Sequence, residues 1–316
     1  MIAPTFFGYY KDIALEMKKQ NSNVYFFDDR PSDKFFFKAL ARLNVKLVSK
    51  KVDKYIKKII REVGENKIDM VFVILGQCFL RRHVLALKKH FKNSEFVYYS
   101  WDSVRNFPNI LSFSDCFDRV YHFDSRDSKE YGYTLLPLYY SNESVDSSNT
   151  PYSFSAIFTV KKGKMKKYDL IMDLIPEEIK KQSYSCLYIQ SPLVYYYYKL
   201  FLKEFRHKKK RDFTFKKIDR KSFYDVMNKS KVIIDCQMKY QSGLTMRTLE
   251  ALHAGKKIIT TNPNIVDYSF YSPTNICIVN KNNKFIPDSF FTTPFDNNYS
   301  ISDQFSLSSF VKTILG

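Results

Sequence analysis

Residues 232–262 read VIIDCQMKYQSGLTMRTLEALHAGKKIITTN and are the most informative part of the chain. An apolar run ends at Asp235, which predicts a buried strand. After a polar loop, Thr245 is a suitable N-cap for a helix, and Gly255 is a suitable residue to end it. A second apolar run follows at residues 257–261. The stretch therefore predicts a strand–helix–strand unit with two parallel strands.

The same alternation of apolar runs and helical spacing continues on the amino-terminal side of this unit. Residues 68–75 form an apolar run typical of a strand covered on both faces, and residues 214–218 are expected as a short strand. The polar segment SNESVDSSNT at residues 141–150 has no periodicity and is the expected linker. The sequence therefore predicts an α/β protein with two Rossmann-like domains that face each other across a cleft.

The expected first domain spans residues 1–143, and the expected second domain spans residues 151–298. Residues 299–316 are expected to form a C-terminal segment that crosses back to the first domain, with a helix near its end.

The start of the predicted helix has the chemistry of a phosphate-binding site. Free N–H groups and the positive end of the helix dipole favour an anion there, and Gly243 would let the backbone approach it closely. Arg247 and Glu250 are three residues apart and share a helix face. An arginine can clamp a diphosphate, and a carboxylate can accept hydrogen bonds from two ribose hydroxyls. The same spacing also fits an ordinary ion pair on a solvated helix, and the residues alone leave both interpretations open.

The composition is strongly basic, with 51 Lys and Arg against 32 Asp and Glu, a formal net charge of +19. Such a surface attracts polyanions, which include nucleic acid, anionic lipid and phosphorylated substrates. A lysine-rich habit of the whole proteome would produce the same excess. Because no zinc knuckle, RNP-like strand or basic zipper accompanies the charge, nucleic acid is not the expected partner.

Five scattered cysteines without a C-x-x-C pair argue against a disulfide framework or a structural zinc, and favour a reducing compartment. The N-terminus lacks a signal-peptide pattern, and the longest apolar runs are much shorter than a membrane span. We therefore expect a cytoplasmic protein, with peripheral attachment to the inner face of the inner membrane as a further possibility.

Gly243 through Asn262 match the pattern G-L-T-M-R-T-x-E-A-L-x-x-x-K-K-x-I-T-T-N. This pattern resembles the donor-binding region of GT-B glycosyltransferases from bacterial lipopolysaccharide and capsule gene clusters, and it is also similar to CgeB-type spore-maturation proteins. The resemblance implies that Glu250 binds the ribose of a nucleotide-sugar donor. It also implies that Thr245 and the backbone at Leu244 meet the diphosphate.

The chain departs from that pattern in two places. Ser242 stands where retaining GT-B enzymes have the first of two glutamates, so retaining and inverting outcomes both stay open. Similar proteins often have a glycine and an arginine after the first strand of the second domain, where this chain has TVKKGK at residues 159–164. Lys161 or Lys164 is expected to supply the charge there, without the bidentate geometry of arginine.

Weaker likenesses extend over most of the chain. The FFGY motif resembles the opening of the family and makes Gly8 a candidate donor-binding residue. In the WDS motif, Asp102 is either a general base for the acceptor hydroxyl or the cap of a turn. Asp124 and Asp127, within FDSRD at residues 123–127, are its rivals. GT-B enzymes usually stabilise the leaving diphosphate with helix dipoles and cations, so neither a metal nor a separate cofactor is expected.

We therefore predict a glycosyltransferase that moves a sugar from a nucleotide-sugar donor to a lipid-linked acceptor, namely lipopolysaccharide core, O-antigen or capsule. The basic surface would suit docking on anionic inner-membrane lipid. A sugar-nucleotide epimerase is an alternative with the same fold, and it would need acids and a histidine around the hexose. A non-enzymatic protein that binds a polyanion is the second alternative.

Overall fold

A computed structural model describes residues 1–141, 149–161, 163–238 and 240–316, and for Phe35 it describes the backbone only. Most of the predicted linker, residues 142–148, therefore lies outside the described residues. Within the described residues, no helix is long and apolar enough to cross a membrane.

Helices and strands alternate along the chain, as expected for parallel sheets with helical crossovers. The strands are β1 (Ile2–Ala3), β2 (Phe27–Asp28), β3 (Met70–Ile74), β4 (Glu95–Ser100), β5 (Arg119–His122), β6 (Thr134–Leu135), β7 (Tyr152–Thr159), β8 (Ser183–Tyr188), β9 (Ser230–Asp235), β10 (Lys257–Thr260) and β11 (Ile276–Ile278). The α-helices are α1 (Tyr9–Lys19), α2 (Phe35–Leu43), α3 (Ser49–Val63), α4 (Arg81–His90), α5 (Ser125–Tyr131), α6 (Lys164–Met172), α7 (Glu177–Lys181), α8 (Pro192–Phe201), α9 (Arg220–Asn228), α10 (Met246–His253) and α11 (Leu307–Leu315).

The chain divides into two compact units, each of which contains one sheet. The first unit consists of Met1–Leu138, Tyr240–Gly243 and Leu307–Gly316. The second unit consists of Tyr139–Lys239 and Leu244–Ser306. The first unit is thus assembled from three separate parts of the chain.

The sheet of the first unit has the strand order β2-β1-β3-β4-β5-β6, and all of its strand pairs are parallel. Its central strands β3 and β4 are nearly continuous apolar runs because helices cover both faces of a parallel sheet. Helix α3 turns Val52, Ile56, Ile59 and Val63 toward this core, which is the spacing of one helical face.

The C-terminal helix α11 completes the first unit. Its buried side chains include Phe310, whose ring packs edge-on against Tyr99 of β4 at 4.9 Å between centroids. Arg119 of β5 donates hydrogen bonds to the carbonyl oxygens of Thr313 and Ile314 near the end of α11. Residues 307–316 therefore belong to the first unit, whereas residues 299–306 belong to the second.

The sheet of the second unit has the order β11-β10-β9-β7-β8, again with parallel pairs. Strands β9 and β10 pair in register from Val232 opposite Lys257 to Asp235 opposite Thr260. The predicted strand–helix–strand unit is thus present as β9, α10 and β10. The strand expected at residues 214–218 is wrong, because Thr214 forms only an isolated bridge with Tyr188.

Candidate functional site

The second sheet has a topological switch point between β7 and β9. The chain runs from β7 outward to β8 on one side, and from β9 outward to β10 and β11 on the other. In an open α/β sheet, such a point leaves a crevice beyond the carboxyl ends of the two central strands, and ligands bind there. Thr159 ends β7 and Asp235 ends β9, so the residues that follow these two positions border the crevice.

Asp235 organises the entry to α10. Its Oδ2 accepts hydrogen bonds from the hydroxyls of Thr245 (3.0 Å) and Thr248 (3.1 Å), while its Oδ1 lies 2.9 Å from Nη1 of Arg247. Thr245 is the N-cap of the helix, and its hydroxyl accepts from the backbone N–H of Thr248 at 3.2 Å. This network aligns the first turn of α10 and holds Arg247 in one orientation.

Arg247 retains unused hydrogen-bonding capacity. Its guanidinium also lies 5.8 Å from the ring centroid of Phe223, which supports its position by a cation–π contact. The buried Nε of Arg247 finds no hydrogen-bond acceptor among the described residues. A planar guanidinium held on one side by a carboxylate is suited to bind a phosphate oxygen on another.

Lys164 places a second cation at the same edge of the sheet. It is the first residue of α6, directly after Gly163, which adopts a left-handed conformation with φ of 79°. Burial first, and then the nearby positive charge of Arg247, lower the pKa of the Lys164 amine to about 8. No carboxylate of the described residues forms an ion pair with Lys164, although Asp235 acts on it electrostatically from a greater distance. A half-buried cation that has no ion-pair partner among the described residues, and whose pKa a nearby arginine lowers, favours an anionic ligand.

The surrounding residues add to this positive charge. Lys161 is exposed just after β7, and Lys167 of α6 donates a hydrogen bond to the carbonyl oxygen of Gln237 at 2.9 Å. Burial raises the pKa of the Cys236 thiol to about 12, so this residue is neutral. The amino end of α10 contributes its own partial positive charge. The edge therefore has four basic side chains, with Asp235 as the acid among the residues named.

Glu250, for which the resemblance implies a ribose-binding role, is buried in this structure. The residue is 3% exposed. Its Oε1 accepts a hydrogen bond of 2.5 Å from the hydroxyl of Tyr224 and one of 3.3 Å from the hydroxyl of Ser141. Burial raises the pKa of Glu250 to about 7, against hydrogen bonds and positive charges that lower it. Glu250 is buried because it lies on the side of α10 that packs on Tyr224 of α9.

Gly243, a predicted anion contact, lies against Asp124 and Phe123 in this structure. Its N–H donates to Oδ2 of Asp124 at 3.0 Å, within the first unit. A Cβ at this position would lie 2.7 Å from ring atoms of Phe123 and 2.8 Å from the Phe123 carbonyl oxygen. Glycine is therefore required here by packing against Phe123. The next residue, Leu244, is a buried apolar side chain of the second unit.

Asp124, a predicted catalytic residue, is 0% exposed and surrounded by donors. It caps α5 by accepting from the backbone of Arg126 and Asp127, and it accepts from Ser242 through both N–H and hydroxyl. Burial alone would raise the pKa of Asp124, but the hydrogen bonds from Ser242 and Gly243 lower it. An acid with its lone pairs engaged in this way is suited to hold a helix start and a loop together, and poorly suited to accept a proton.

Asp102, the other predicted catalytic residue, accepts its side-chain hydrogen bonds through one of its two oxygens. Its Oδ1 accepts from the Ser103 backbone, the Asn106 amide and the Gln241 amide, at 2.8 to 3.0 Å. Among the described residues none donates a hydrogen bond to its Oδ2. The residue is half-buried, and its remaining oxygen is available for a hydroxyl. The rival Asp127 is buried and accepts from the Val104 backbone at 2.7 Å.

Gly8, the predicted donor-binding residue near the N-terminus, lies in the first unit. It follows β1, has φ of 81° and caps α1, so it stands beside the switch point between β1 and β3 of that sheet. The left-handed conformation explains why glycine occurs there.

The sequence does not predict two of the contacts described above. From the sequence, Asp235 is expected only to end a strand, whereas in the structure it also binds Thr245 and Arg247. An acid at the end of a strand, followed by Thr245, Arg247 and Thr248 at the start of the next helix, is a signal that could have identified Asp235. The pairing of Tyr224 with Glu250 has no such local signal. In the described part of the chain, no group of three or more His, Cys, Asp and Glu side chains is arranged to hold a metal ion.

Comparison with known proteins identifies the fold. No protein-family model and no curated protein sequence matches the chain. Among solved structures, HepE of Anabaena in complex with UDP-glucose is similar, with a TM-score of 0.56, 14% identity, and coverage of 98% of this chain and 88% of that one. Sucrose-phosphate synthase from Thermosynechococcus elongatus has a TM-score of 0.57 and 9% identity, covering 97% and 88%. MnaA of S. aureus with UDP has a TM-score of 0.55 and 12% identity, covering 99% and 94%. At these identities the likeness shows the fold, and the chain accordingly has two Rossmann-like α/β domains of the GT-B type.

Proposed function

We propose that the protein is a glycosyltransferase that uses a nucleoside-diphosphate sugar as donor. The observation that carries the proposal is a pair of cations at the switch point of the second sheet: Arg247, held by Asp235 with its Nε lacking an acceptor among the described residues, and the half-buried Lys164 at the start of α6. The similar folds solved with UDP or UDP-glucose support a nucleotide-sugar ligand. A diphosphate fits this edge because it matches both cations and the amino end of α10.

In the proposed reaction, the acceptor hydroxyl loses its proton to a base while its oxygen bonds to the anomeric carbon of the sugar. The bond from that carbon to the diphosphate breaks, and the nucleoside diphosphate leaves with the electron pair. Arg247, Lys164 and the helix dipole stabilise the charge that develops on the leaving group, without a metal ion. Asp102 is our candidate for the base, through its Oδ2.

We propose a lipopolysaccharide-core, O-antigen or capsule precursor as the acceptor. The resemblance of residues 243–262 to enzymes of those gene clusters supports this choice, and so does the net charge of +19. A lipid-linked acceptor would be reached by peripheral attachment to the anionic inner face of the inner membrane.

Isothermal titration with nucleotides tests the donor site. We expect a nucleoside diphosphate among UDP, GDP and dTDP to bind, and CMP to bind more weakly because it lacks the second phosphate. Lys164→Ala should weaken the binding roughly tenfold or more, as expected for a lost charge-assisted hydrogen bond. Lys166→Ala is the matched control, because Lys166 is an exposed lysine of the same helix. If no nucleotide binds, or if both variants bind like the wild type, the proposal fails.

An epimerase of the same fold is separated by its product. UDP-GlcNAc 2-epimerases are among the solved structures with a similar fold, for example one from Methanocaldococcus jannaschii. Incubation of the donor without acceptor should leave it unchanged if the protein is a transferase. An epimerised nucleotide sugar would replace our proposal. Polyanion binding that is strongly salt-dependent, and that nucleotide sugars do not compete away, would favour a non-enzymatic role instead.

A further inference from the structure

Helix α8 is apolar on both of its sides. Its inner side packs into the core of the second unit with Val194, Tyr195, Tyr198 and, just beyond the helix, Leu202. Its outer side, which we name the α8 face, repeats at helical spacing and is exposed. The fractional exposures are Leu193 81%, Tyr196 56%, Tyr197 57%, Leu200 73% and Phe201 64%. A helix that is apolar all round is normally covered on every side, so the α8 face indicates a partner.

Basic residues border this face. Residues 192–211 contain seven Lys and Arg against one acidic residue, Glu204. The Nζ of Lys210 lies 5.7 Å from the ring centroid of Tyr196, so at least one of these cations sits directly beside the α8 face. Lys199, Lys203 and Arg206 are exposed nearby along the chain. An occupant of the α8 face must therefore combine an apolar interior with negative charge at its surface.

The charge distinguishes between the possible occupants. A two-fold contact between copies of this chain would bring the same basic segment of both copies together, which is unfavourable. Nucleic acid would use the cations and the tyrosine rings, but it offers no apolar medium for Leu193, Leu200 and Phe201. An anionic bilayer satisfies both requirements, because acyl chains accept leucine and phenylalanine while headgroups meet tyrosine and lysine.

We infer that the α8 face and the basic segment 203–211 form the surface by which the protein docks in the plane of an anionic lipid bilayer. Helix α8 lies along the surface rather than across it, because its 10 residues are far too few to span a bilayer. The inference deepens the membrane attachment within the proposed function by naming the surface that makes it.

The first unit offers a rival surface for comparison. Phe36 and Leu43 of α2, together with Leu47 just after it, are 62% to 79% exposed and also lie among lysines. Three apolar side chains over 12 residues form a sparser face than five over nine residues of α8. Equal substitution of this α2 surface provides a matched control for the α8 face.

Flotation of the full-length protein with vesicles tests the inference. Wild type should bind vesicles of phosphatidylglycerol mixed with phosphatidylcholine, and should bind phosphatidylcholine alone at least roughly tenfold more weakly, since several lysines near the surface each add to binding. The triple variant Leu193→Ser, Leu200→Ser, Phe201→Ser should lose at least roughly tenfold in partitioning, as expected when apolar insertion is removed. The triple variant Phe36→Ser, Leu43→Ser, Leu47→Ser should bind like the wild type.

Three results would overturn the inference: unchanged binding of the α8 variant, equal binding to both kinds of vesicle, or loss of binding only in the α2 variant. Light scattering adds a fourth, since a wild-type dimer that the α8 substitutions convert to a monomer would identify a second copy as the occupant. Circular dichroism and thermal denaturation of the same variants show whether they are folded. If the α8 variant does not fold, Tyr197→Trp replaces it. The chain already contains Trp101, so the wild type serves as the reference. The emission that the variant adds to that of the wild type should shift to shorter wavelength on anionic vesicles, and an unshifted added emission would count against insertion.

This test is independent of the donor site, because docking on vesicles requires no nucleotide. A protein that docks through the α8 face but binds no nucleoside diphosphate would remove the proposed function and leave the docking surface. A protein that binds nucleotide but does not dock would do the reverse.

Discussion

Lys164 shows how the environment of one residue can change the ionisation of its side chain. In water a lysine amine stays charged far above neutral pH, whereas burial beside Arg247 lowers the pKa of Lys164 to about 8. A bound diphosphate would supply the negative charge that the site lacks, and it would raise this pKa again. Binding of the anion and binding of the proton are therefore coupled.

We predict that the affinity for nucleoside diphosphate falls as the pH rises above about 8, the pKa of Lys164 in the free protein. Below that value Lys164 is already charged, so the affinity should be nearly constant, because the phosphates are fully ionised above pH about 7. Titrations in buffers of different ionisation enthalpy should reveal proton uptake at pH about 9 in the wild type, since binding shifts this equilibrium. Lys164→Ala should show neither effect, and an equally pH-dependent variant would contradict the assignment.

Glu250 allows a second test on a single residue, and here burial raises the pKa instead of lowering it. Its pKa is raised from 4.5 to about 7 by burial, so the contribution of this group to stability is fully present below pH 4.5 and is lost as the pH rises through about 7. Glu250→Gln keeps an acceptor for Tyr224 and removes the titration. Relative to the wild type, this variant should gain on the order of 3 kcal/mol in free energy of unfolding between pH about 5 and 8.

Urea denaturation at several pH values measures this difference, and nucleotide titration of Glu250→Gln completes the experiment. If Glu250 is a buried packing residue, the affinity for UDP should stay within about twofold of the wild type, well below the cost of a lost hydrogen bond to a charged group. A large loss of affinity without any change in the pH dependence of stability would identify Glu250 as a ribose-binding residue.

At the scale of elements, Asp124 joins the start of α5 to the loop at residues 240–243. Five hydrogen bonds converge on its two oxygens, from Arg126, Asp127, Ser242 and Gly243. Because Asp124 binds both segments, the stability of each depends on the other, although they are far apart in sequence.

We predict that Asp124→Ala lowers the free energy of unfolding by roughly 3 to 5 kcal/mol, since it removes a helix cap and leaves several buried donors unsatisfied. Asp124→Asn should cost less, because its amide oxygen still accepts. Thermal and urea denaturation measure both variants. If Asp124→Asn were fully stable yet inactive in sugar transfer, Asp124 would be a catalytic base, as the sequence first suggested.

At the scale of the whole molecule, the first unit depends on the last residues of the chain. Helix α11 contributes Leu307, Phe310, Val311 and Ile314 to the buried interior of that unit. The first unit is thus not a continuous segment that could be excised at residue 138.

We predict that termination after Ser306 destabilises the first unit by several kcal/mol, at roughly 2 kcal/mol for each apolar side chain removed from the interior. Calorimetry or urea denaturation of the shortened protein measures this loss. Lys312→Ser is the control, because Lys312 is an exposed residue of the same helix and should leave the stability unchanged. An unaltered unfolding midpoint in the shortened protein would show that α11 contributes little.

Much of the fold was predictable because it depends on local patterns. The sequence predicted the buried strands β3 and β9 and the helix cap at Thr245. Strand burial and helix capping depend on a few neighbouring residues. The expected strand at residues 214–218 failed because pairing with a neighbouring strand is a long-range property, and Thr214 finds one bridge only. Within the candidate site, Arg247 and Lys164 were named from sequence, but their proximity was not.

The sequence by itself determined that this is a basic chain of alternating strands and helices, with a polar helix start followed by Arg and Glu at residues 245–250. Only the tertiary structure decided that β7 and β9 are neighbours, which brings Lys164 near Arg247 at one sheet edge. It also decided that Glu250 turns toward Tyr224, and that one side of α8 stays uncovered. The physical reason is range: side-chain periodicity and capping act between residues close in sequence, whereas electrostatics and burial depend on which strands and helices come together in space.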